Sequence, residues 1–212
     1  MGLSRMNLSL GEVEALAVKA TRGAGLGWGI AVEAGKAVRW LTAHGFDGPR
    51  TLAHALGASE FGVVEVDGNR LTGGSAVLLG PSLCDLKEIV ARGEDIVLVD
   101  VHAAPLIAPF VARLSGLLET RLALAWEEAG MVFTPGAVLA HEDGAVPPDF
   151  CAELRVGGCD DVPECEPLLK SSRAEISQDI FDALSGYAAR TYAPATEESR
   201  LAGAGAGLTD ND

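Results

Sequence analysis

The first quarter of the chain has apolar residues at helical spacing. Ser9 followed by Glu12 has the pattern of a capping box, and apolar residues then recur every three or four positions, which predicts a helix over residues 10–22. Four glycines at residues 23–29 interrupt this pattern before a second apolar stripe runs to His44. Pro49 favours the first turn of a third, short helix over residues 49–56. The pattern therefore predicts a helical hairpin followed by a short helix.

The pattern changes near Phe61, where shorter apolar runs predict strands. Valines before an Asp67-Gly68 turn, with residues 70–72 after it, are typical of a β-hairpin. Continuous apolar runs at residues 76–79 and 96–101 predict strands that are covered on both faces. Helices are predicted at residues 82–92 and 110–118, and an antiparallel meander of strands at residues 121–126, 131–134 and 138–141.

The last third of the chain mixes loop, strand and helix signals. Residues 144–166 are rich in proline, glycine and acids, which predicts a long loop with one strand at residues 152–156. Ser172 is expected to cap a helix whose apolar stripe reaches Tyr187, and a short helix over residues 194–201 precedes a glycine-rich tail.

These elements together predict an α+β fold, in which the N-terminal helical hairpin and the C-terminal helix pack on a mixed or mainly antiparallel sheet. We expect a single domain over residues 1–212. It is expected to be helical over residues 1–57, sheet-rich over residues 58–160, and helical with a glycine-rich tail over residues 161–212.

The composition and net charge of the chain limit the classes of partner that it is expected to bind. The 212 residues are 48% hydrophobic and 22% charged, which is typical of a folded domain. Sixteen basic against thirty acidic residues give a net charge of −14, the wrong sign for binding nucleic-acid phosphates or an anionic membrane. No apolar run approaches the ~18 residues of a membrane span, and the start of the chain lacks the pattern of a secretory signal. We therefore expect a cytoplasmic protein without nucleic-acid or membrane partners.

The four cysteines are too few for a disulfide framework in a chain of this length, so reduced thiols are expected. Cys151, Cys159 and Cys165 lie within fifteen residues, and thiolates close in sequence can ligate zinc. Seven and five residues separate them, however, and no CxxC pair is present. We predict no metal, and metal binding by this cluster stays an open alternative.

The glycine-rich run after the first helix is the first candidate for ligand binding. Gly25 and Gly27 would let the backbone approach a ligand closely, while Arg22 and Trp28 would supply charge and an aromatic wall for an anion at the next helix N-terminus. The run follows a helix rather than a strand, so it is neither a dinucleotide fingerprint nor a P-loop. An ordinary glycine-rich turn is the favoured alternative, and no cofactor is predicted.

The second predicted helix carries further polar and aromatic residues. Glu33 and Arg39, with two tryptophans, could form an aromatic-walled polar pocket. At ~100° per residue, however, Glu33, Lys36 and Trp40 share one side of the helix while Arg39 points elsewhere. A solvated Glu33–Lys36 pair is therefore the simpler interpretation.

Asp100 and His102 end the strand predicted at residues 96–101. Two positions apart, they would project from the same face, where they could orient a general base or ligate a metal together with His141. The alternative is that this pair satisfies local backbone groups.

Cys84 is a candidate nucleophile. If Ser82 caps a helix, Cys84 lies in its first turn, where the helix dipole lowers the pKa of a thiol. Asp85 opposes thiolate formation and no partner histidine can be assigned, so a packed cysteine is favoured. Arg200, in the tail, is a further candidate for ligand binding, against the alternative that the tail frays.

The segments SLGEVEALAVKATRGAGLGWGIAVEAGKAVRWL and ARTYAPATEESRLAGAGAGLTDND resemble the two ends of an uncharacterised proteobacterial family, a domain of unknown function. The resemblance extends over the whole chain and is most specific at its ends. It implies bacterial origin and a stand-alone cytosolic protein, and it brings no reaction. Tyr192, Glu197, Ser199 and Arg200 match the family's ending, which implies that the tail is ordered.

We expect a bacterial cytosolic enzyme of small-molecule metabolism that acts on a small anionic substrate, either a carboxylate or an amino-acid-like compound. In this hypothesis the two glycine-rich ends meet, and Arg22, Trp28, Glu33 and Arg200 line a cleft. The alternative is a non-catalytic accessory subunit or a ligand-binding or interaction protein, in which the glycines allow close helix contact with a partner or a second copy. Homo-oligomerisation is a default expectation.

Overall fold

The computed structural model describes residues 5–57, 61–140, 146–160 and 167–191. Helices dominate the amino-terminal part and a mixed sheet dominates the middle, so the α+β prediction is confirmed. None of the helices in these ranges is long and apolar enough to cross a membrane.

The predicted helical hairpin and the short third helix are confirmed. Ser9 caps the first helix as predicted: its Oγ accepts a hydrogen bond from the Glu12 amide at 3.2 Å, and the Glu12 carboxylate accepts one from the Ser9 amide at 2.7 Å. The hydrogen bond from the Ser9 amide lowers the pKa of Glu12. The helices are α1 Leu10–Gly23, α2 Trp28–Ala43, α3 Gly48–Gly57, α4 Ala76–Asp85, α5 Lys87–Ala91, α6 Ala108–Leu118 and α7 Gln178–Ala189, with a 3-10 turn at Ala104–Ile107 before α6.

The strands form two sheets. They are β1 Arg5–Ser9, β2 Glu65–Asp67, β3 Arg70–Thr72, β4 Ile96–His102, β5 Leu122–Trp126, β6 Ala129–Thr134, β7 Ala137–Ala140, β8 Phe150–Gly158 and β9 Arg173–Ser177. The larger sheet has the order β2-β3-β4-β8-β5-β6-β7, in which β3 and β4 are parallel and the other neighbours antiparallel. Strands β1 and β9 pair separately. The predicted hairpin and meander are both present.

The helices lie in two layers over one side of the larger sheet. Helices α4 and α6 contact its strands directly, α2 packs on α4 and α6, and α1 and α3 pack on α2. Helix α7 packs on α1 and α3 rather than on the larger sheet. This arrangement leaves one side of α2 facing α6, where the candidate site described below lies.

Two glycines allow the helices of the outer layer to approach closely. A Cβ atom at Gly35 would lie 2.4 Å from the Val18 side chain of α1. A Cβ atom at Gly23 would lie 1.7 Å from the Tyr187 carbonyl oxygen of α7. Both contacts are made inside the chain, and the contact with a partner or a second copy stays a prediction.

The strand predicted at residues 76–79 is wrong. These residues begin α4, and Ser75 caps that helix by accepting a hydrogen bond from the Val77 amide at 3.4 Å. The run is continuously apolar because the helix is buried between the sheet and α2, and a run of four apolar residues does not distinguish a buried strand from a buried helix. Ser82 is consequently inside α4, where its hydroxyl donates to the Leu78 carbonyl at 3.1 Å.

Two further predictions in the last third of the chain need correction. The one strand predicted in the segment 144–166, at residues 152–156, is confirmed, but it is longer than predicted: β8 has nine residues and lies at the centre of the larger sheet. Ser172 does not cap a helix, because Arg173–Ser177 is β9 and α7 begins after Ser177. Strand β9 pairs with β1, a contact between the two ends of the described chain that local patterning does not indicate.

Candidate functional site

A cavity of about 250 Å³ lies between α2 and α6. We call it the α2–α6 groove and define it by the residues that line it, which are Glu33, Lys36, Ala37, Trp40, Pro109, Phe110 and Arg113. Spacing of three and four residues along α2 places Glu33, Lys36 and Trp40 on the side that faces α6, as the helical geometry predicted. The groove therefore joins charged groups to an aromatic surface.

Glu33 is the centre of charge in the groove. One oxygen of its carboxylate accepts a hydrogen bond from Lys36 Nζ at 3.0 Å, and the other accepts one from Arg113 Nη1 at 2.6 Å. The Glu33 side chain is 24% exposed, whereas Lys36 and Arg113 are more than half exposed. Two cations beside one carboxylate give the groove a net charge of +1, in a chain whose total is −14.

Trp40, which forms the aromatic wall of the groove on α2, packs against two other aromatic rings. The Trp40 ring stacks on the His44 ring, with 4.0 Å between centroids, and lies 6.3 Å from the Phe133 ring of β6. His44 is buried, and its Nδ1 lies 2.8 Å from the Trp40 carbonyl oxygen. Burial lowers the pKa of His44, so the ring behind Trp40 is neutral near pH 7.

Cys84 lies close to the groove but is not activated. It is in the last turn of α4, not the first turn of a helix, so the predicted dipole effect is wrong for this residue. Its Sγ lies 3.8 Å from the Phe110 carbonyl oxygen. Burial raises the pKa of Cys84 to about 11, although the nearby Arg113 opposes this shift. The structure favours the packed cysteine over the nucleophile.

The glycine loop, residues 23–29, lies at the other end of α2. Arg22 is used within this loop: its Nη1 donates to the Leu26 carbonyl, and its guanidinium carbon lies 4.8 Å from the centre of the Trp28 ring. Trp28 is 66% exposed and does not line the groove with Trp40. In the described part of the chain, Arg22 Nε is buried without a hydrogen-bond partner.

Gly25 and Gly27 have different backbone requirements. Gly25 has φ +99°, which favours glycine, whereas Gly27 has φ −63° and precedes the first turn of α2. A Cβ atom at either position would meet no atom of the described structure within 4 Å. The hydrogen bonds described for Arg22 and for Glu33 are made to other residues, and Arg200 lies outside the described ranges, so the cleft stays a prediction.

Arg39 belongs to the packing of the hairpin. Its Nη1 donates to the Glu14 carboxylate of α1 at 2.8 Å, on a different side of α2 from the groove. The helical geometry predicted that Arg39 would point away from Glu33. Its contact explains the residue as a link between the two helices of the hairpin, rather than as a ligand-binding group.

Asp100 and His102 lie at the end of β4 and are both exposed. Asp100 has φ +53°, and the burial pattern of β4 changes phase there: Ile96 and Leu98 are buried before it, and Val101 after it. The regular alternation of buried and exposed residues along β4 is therefore interrupted between Leu98 and Val101. Within the described ranges the structure shows no hydrogen bond between the two side chains, and the His102 ring instead lies 5.0 Å from the Phe150 ring.

A second histidine lies near this end of the sheet and was not identified from the sequence. His54 Nδ1 lies 2.9 Å from the Asp149 carboxylate, and Asp149 directly precedes Phe150, the neighbour of His102. Both members of the His54–Asp149 pair are half exposed or more. No signal in the sequence links two residues that are 95 positions apart.

Several predicted residues lie outside the described ranges: Cys165, His141 and Arg200, together with the other tail positions Tyr192, Glu197 and Ser199. Cys84 and Cys151 are free thiols. Burial raises the pKa of Cys151 to about 11, and Glu127 adds to the shift. Among the described residues, no group of three His, Cys, Asp or Glu side chains is arranged to hold a metal ion.

Sequence reasoning missed half of the groove. Helix α6 supplies three of the lining residues, Pro109, Phe110 and Arg113. Arg113 is 80 residues from Glu33 in the sequence. The apolar stripe of α6 predicts a helix, but nothing in it indicates which helix it will face. Only the α2 half of the groove carried a recognisable signal, in the spacing of Glu33, Lys36 and Trp40.

The fold and the groove together define an α+β protein with a charged, aromatic-walled site between two helices. Residues 8–104 match the model of a family described as "Protein of unknown function (DUF3726)". This match confirms the predicted resemblance to an uncharacterised family over residues 8–104, and the C-terminal segment of that resemblance lies outside the matched residues. The matched residues include the α2 half of the groove and end before α6.

Three solved structures are similar to this chain. A dehydrogenase from Sinorhizobium meliloti has a TM-score of 0.54 and 11% identity, over 87% of this chain and 100% of that one. Malate dehydrogenase from Pyrococcus horikoshii OT3 has a TM-score of 0.43 and 11% identity over 68% of this chain, and malate dehydrogenase from Entamoeba histolytica has 0.44 and 9% over 78%. This chain spans 50% of each malate dehydrogenase chain. No curated protein matches it. At 11% identity, the likeness to the Sinorhizobium meliloti protein shows a shared fold alone.

Proposed function

We propose that this chain is an enzyme of small-molecule metabolism that binds a small organic anion in the α2–α6 groove. One observation carries the proposal: Lys36 and Arg113 converge on one carboxylate at the edge of a cavity walled by Trp40 and Phe110. A few convergent polar groups beside an apolar surface are typical of ligand sites.

Arg113 is the group best suited to hold an anion. A guanidinium has five N–H donors in a planar fork that matches a carboxylate, and only Nη1 of Arg113 bonds to Glu33. The remaining donors can therefore bind a ligand carboxylate while the Glu33 contact stays in place. Lys36 adds a second positive charge beside the same site.

The reaction to test first is oxidation or reduction of the bound compound, because the Sinorhizobium meliloti protein that shares this fold is described as a dehydrogenase. The fold supports this choice of assay and does not identify a substrate. Hydride transfer is commonly carried by nicotinamide cofactors, so nicotinamide absorbance is a suitable readout for a panel of hydroxy acids and keto acids.

The binding proposal is tested by titrating short-chain mono- and dicarboxylates into the protein, with heat and intrinsic tryptophan fluorescence as readouts. The Arg113→Met variant removes the fork, and Arg92→Met is the matched control, because Arg92 pairs with Glu94 on the surface and does not line the groove. Loss of a charge-assisted hydrogen bond costs about 1.5–3 kcal/mol, so Arg113→Met should weaken binding by about 10- to 100-fold.

Absence of binding by every carboxylate, or equal binding by Arg113→Met and the wild type, would refute the groove as the anion site. The alternative of an interaction protein depends on glycines available for close helix contact. Gly23 and Gly35 already make such contacts with α7 and α1, so this alternative would have to use the glycines of the loop before α2. Homo-oligomerisation stays a prediction, to be measured by light scattering.

A further inference from the structure

We infer that the α2–α6 groove selects a zwitterionic α-amino acid with an apolar side chain over a simple carboxylate. The inference rests on the proposed function, since it names the class of anion that the same site takes. It comes from three features of the groove: adjacent receptors of opposite charge, a fixed aromatic wall and a small volume.

The first feature is the spacing of the charges. The carboxylate and ammonium of an α-amino acid are joined through a single carbon atom, so their receptors must also be adjacent. Glu33 and Arg113 meet this requirement, with 2.6 Å between the carboxylate oxygen and Nη1. A ligand carboxylate held by the free donors of Arg113 therefore brings its own ammonium next to Glu33.

Glu33 also explains why a simple anion is the poorer ligand. A ligand carboxylate that binds Arg113 lies next to the Glu33 carboxylate. Without an ammonium group on the ligand, the two negative charges repel each other. If the anion displaced Glu33 from Arg113, the Glu33 carboxylate, on a side chain that is only 24% exposed, would lose this partner. An ammonium group removes both penalties, because it donates to Glu33 directly.

The apolar residues that line the groove favour a ligand with an apolar side chain. Trp40, Phe110, Pro109 and Ala37 lie beside the charged groups, and Trp40 is fixed by its stacking on His44. A fixed ring offers contact area without ordering a mobile side chain, so an aliphatic or aromatic substituent can pack on it at low entropic cost.

The volume limits the size of the ligand. Drug-sized ligands occupy pockets of about 300–1,000 Å³, and the groove has about 250 Å³. A single amino acid is therefore in the right size range, whereas a dinucleotide is too large for this cavity.

The test compares three ligands by calorimetry on the full chain: L-phenylalanine, 3-phenylpropanoate, which lacks the ammonium, and 2-phenylethylamine, which lacks the carboxylate. L-leucine is added to separate aromatic from aliphatic side chains. We expect each single-charge analogue to bind at least about 10-fold more weakly than phenylalanine, the loss expected for one charge-assisted hydrogen bond.

Two variants identify the receptors. Glu33→Gln keeps the shape of the side chain and should abolish the preference for phenylalanine over 3-phenylpropanoate, while Glu94→Gln, on the surface, should leave it unchanged. Arg113→Met should weaken both carboxylate ligands. If a variant fails to fold, as judged by circular dichroism, the three-ligand comparison on the wild type still decides the question.

The outcomes separate this inference from the proposed function. Equal or tighter binding of 3-phenylpropanoate by the wild type would overturn the selection of a zwitterion while leaving the anion site intact. Binding of other carboxylates but neither phenylalanine nor leucine would overturn it as well. No binding by any amino acid or carboxylate would refute the proposed function itself.

Discussion

The glycines at the two ends of α2 differ in how closely the described structure packs around them. At its amino end, Gly27 and Gly29 flank the exposed Trp28, and a Cβ atom at either glycine would meet no described atom within 4 Å. At its carboxyl end, His44 is buried, and Gly48 packs so closely that a Cβ atom there would lie 2.6 Å from the Val38 carbonyl oxygen. One end of the helix is closed by packing and the other is open.

The difference shows that glycine content alone does not identify a binding loop. Gly48 is required by the approach of α3 to α2, and Gly25 by its positive φ. Neither reason applies to Gly27 or Gly29, because both have room for a side chain and neither has a positive φ. The described fold therefore explains two of these glycines and places no requirement on the other two.

The largest expected effect is at the closed end. Gly48→Ala should destabilise the protein by about 2–3 kcal/mol, because the new methyl group meets the Val38 carbonyl oxygen and the Leu41 Cβ, 3.1 Å away, and the backbone must shift. Urea denaturation measures this loss. Gly57→Ala, at the other end of α3 and with open space around it, is the control. A loss below about 0.5 kcal/mol for Gly48→Ala would contradict the close packing of α3 on α2.

The next effect is at the turn of the glycine loop. Gly25→Ala should cost about 1–2 kcal/mol, because φ +99° is unfavourable for a residue with a Cβ atom even though the space is open. Gly27→Ala is the control for backbone conformation, because Gly27 has φ −63°, which alanine adopts readily. It should destabilise the protein less than Gly25→Ala does. Equal unfolding midpoints in urea for the two variants would show that the conformation of Gly25 is not what requires glycine.

The same two ends show what the sequence could predict. The capping box of α1 and the spacing of α2 are local signals, and they gave the hairpin and the side of α2 that carries Glu33, Lys36 and Trp40. The closed end depends on α3 folding back on α2, and the groove depends on α6 meeting Glu33 through Arg113. Contacts of this kind join distant parts of the chain and leave no local pattern.

The errors in the sheet have the same cause. Residues 76–79 were predicted as a strand because a fully buried helix and a buried strand are equally apolar over four positions. Strand β8 was only partly recognised among prolines and acids, because its stability comes from pairing with β4 and β5. Strand β9 was missed because its partner β1 is at the other end of the described chain.

A smaller effect, in pH dependence, is expected from His44 at the closed end. Burial lowers its pKa in the folded state, with Lys170 adding to the shift, so the unfolded chain takes up a proton first as the pH falls below about 6.5. Stability should therefore decrease from about pH 6.5 towards the lower folded pKa, by at most about 1.4 kcal/mol per pH unit for one proton.

The measurement is urea denaturation at several pH values. His44→Gln should flatten the pH dependence over this window, and His102→Gln, at an exposed position on β4, is the control. A wild-type slope that persists in His44→Gln would assign the pH dependence to another group and weaken the view that the closed end holds a neutral ring behind Trp40.

The smallest expected effect has the opposite sign and is at the open end. Gly29→Ala lies in the first turn of α2 with space for a methyl group, and replacing glycine by alanine in a helix gains about 0.5 kcal/mol from the reduced freedom of the unfolded chain. A small stabilisation in urea, beside the large loss for Gly48→Ala, would sharpen the contrast between the two ends. If Gly29→Ala instead destabilises the protein by about 1 kcal/mol or more, a methyl group is not accommodated at this position, and the contrast between the two ends of α2 is wrong.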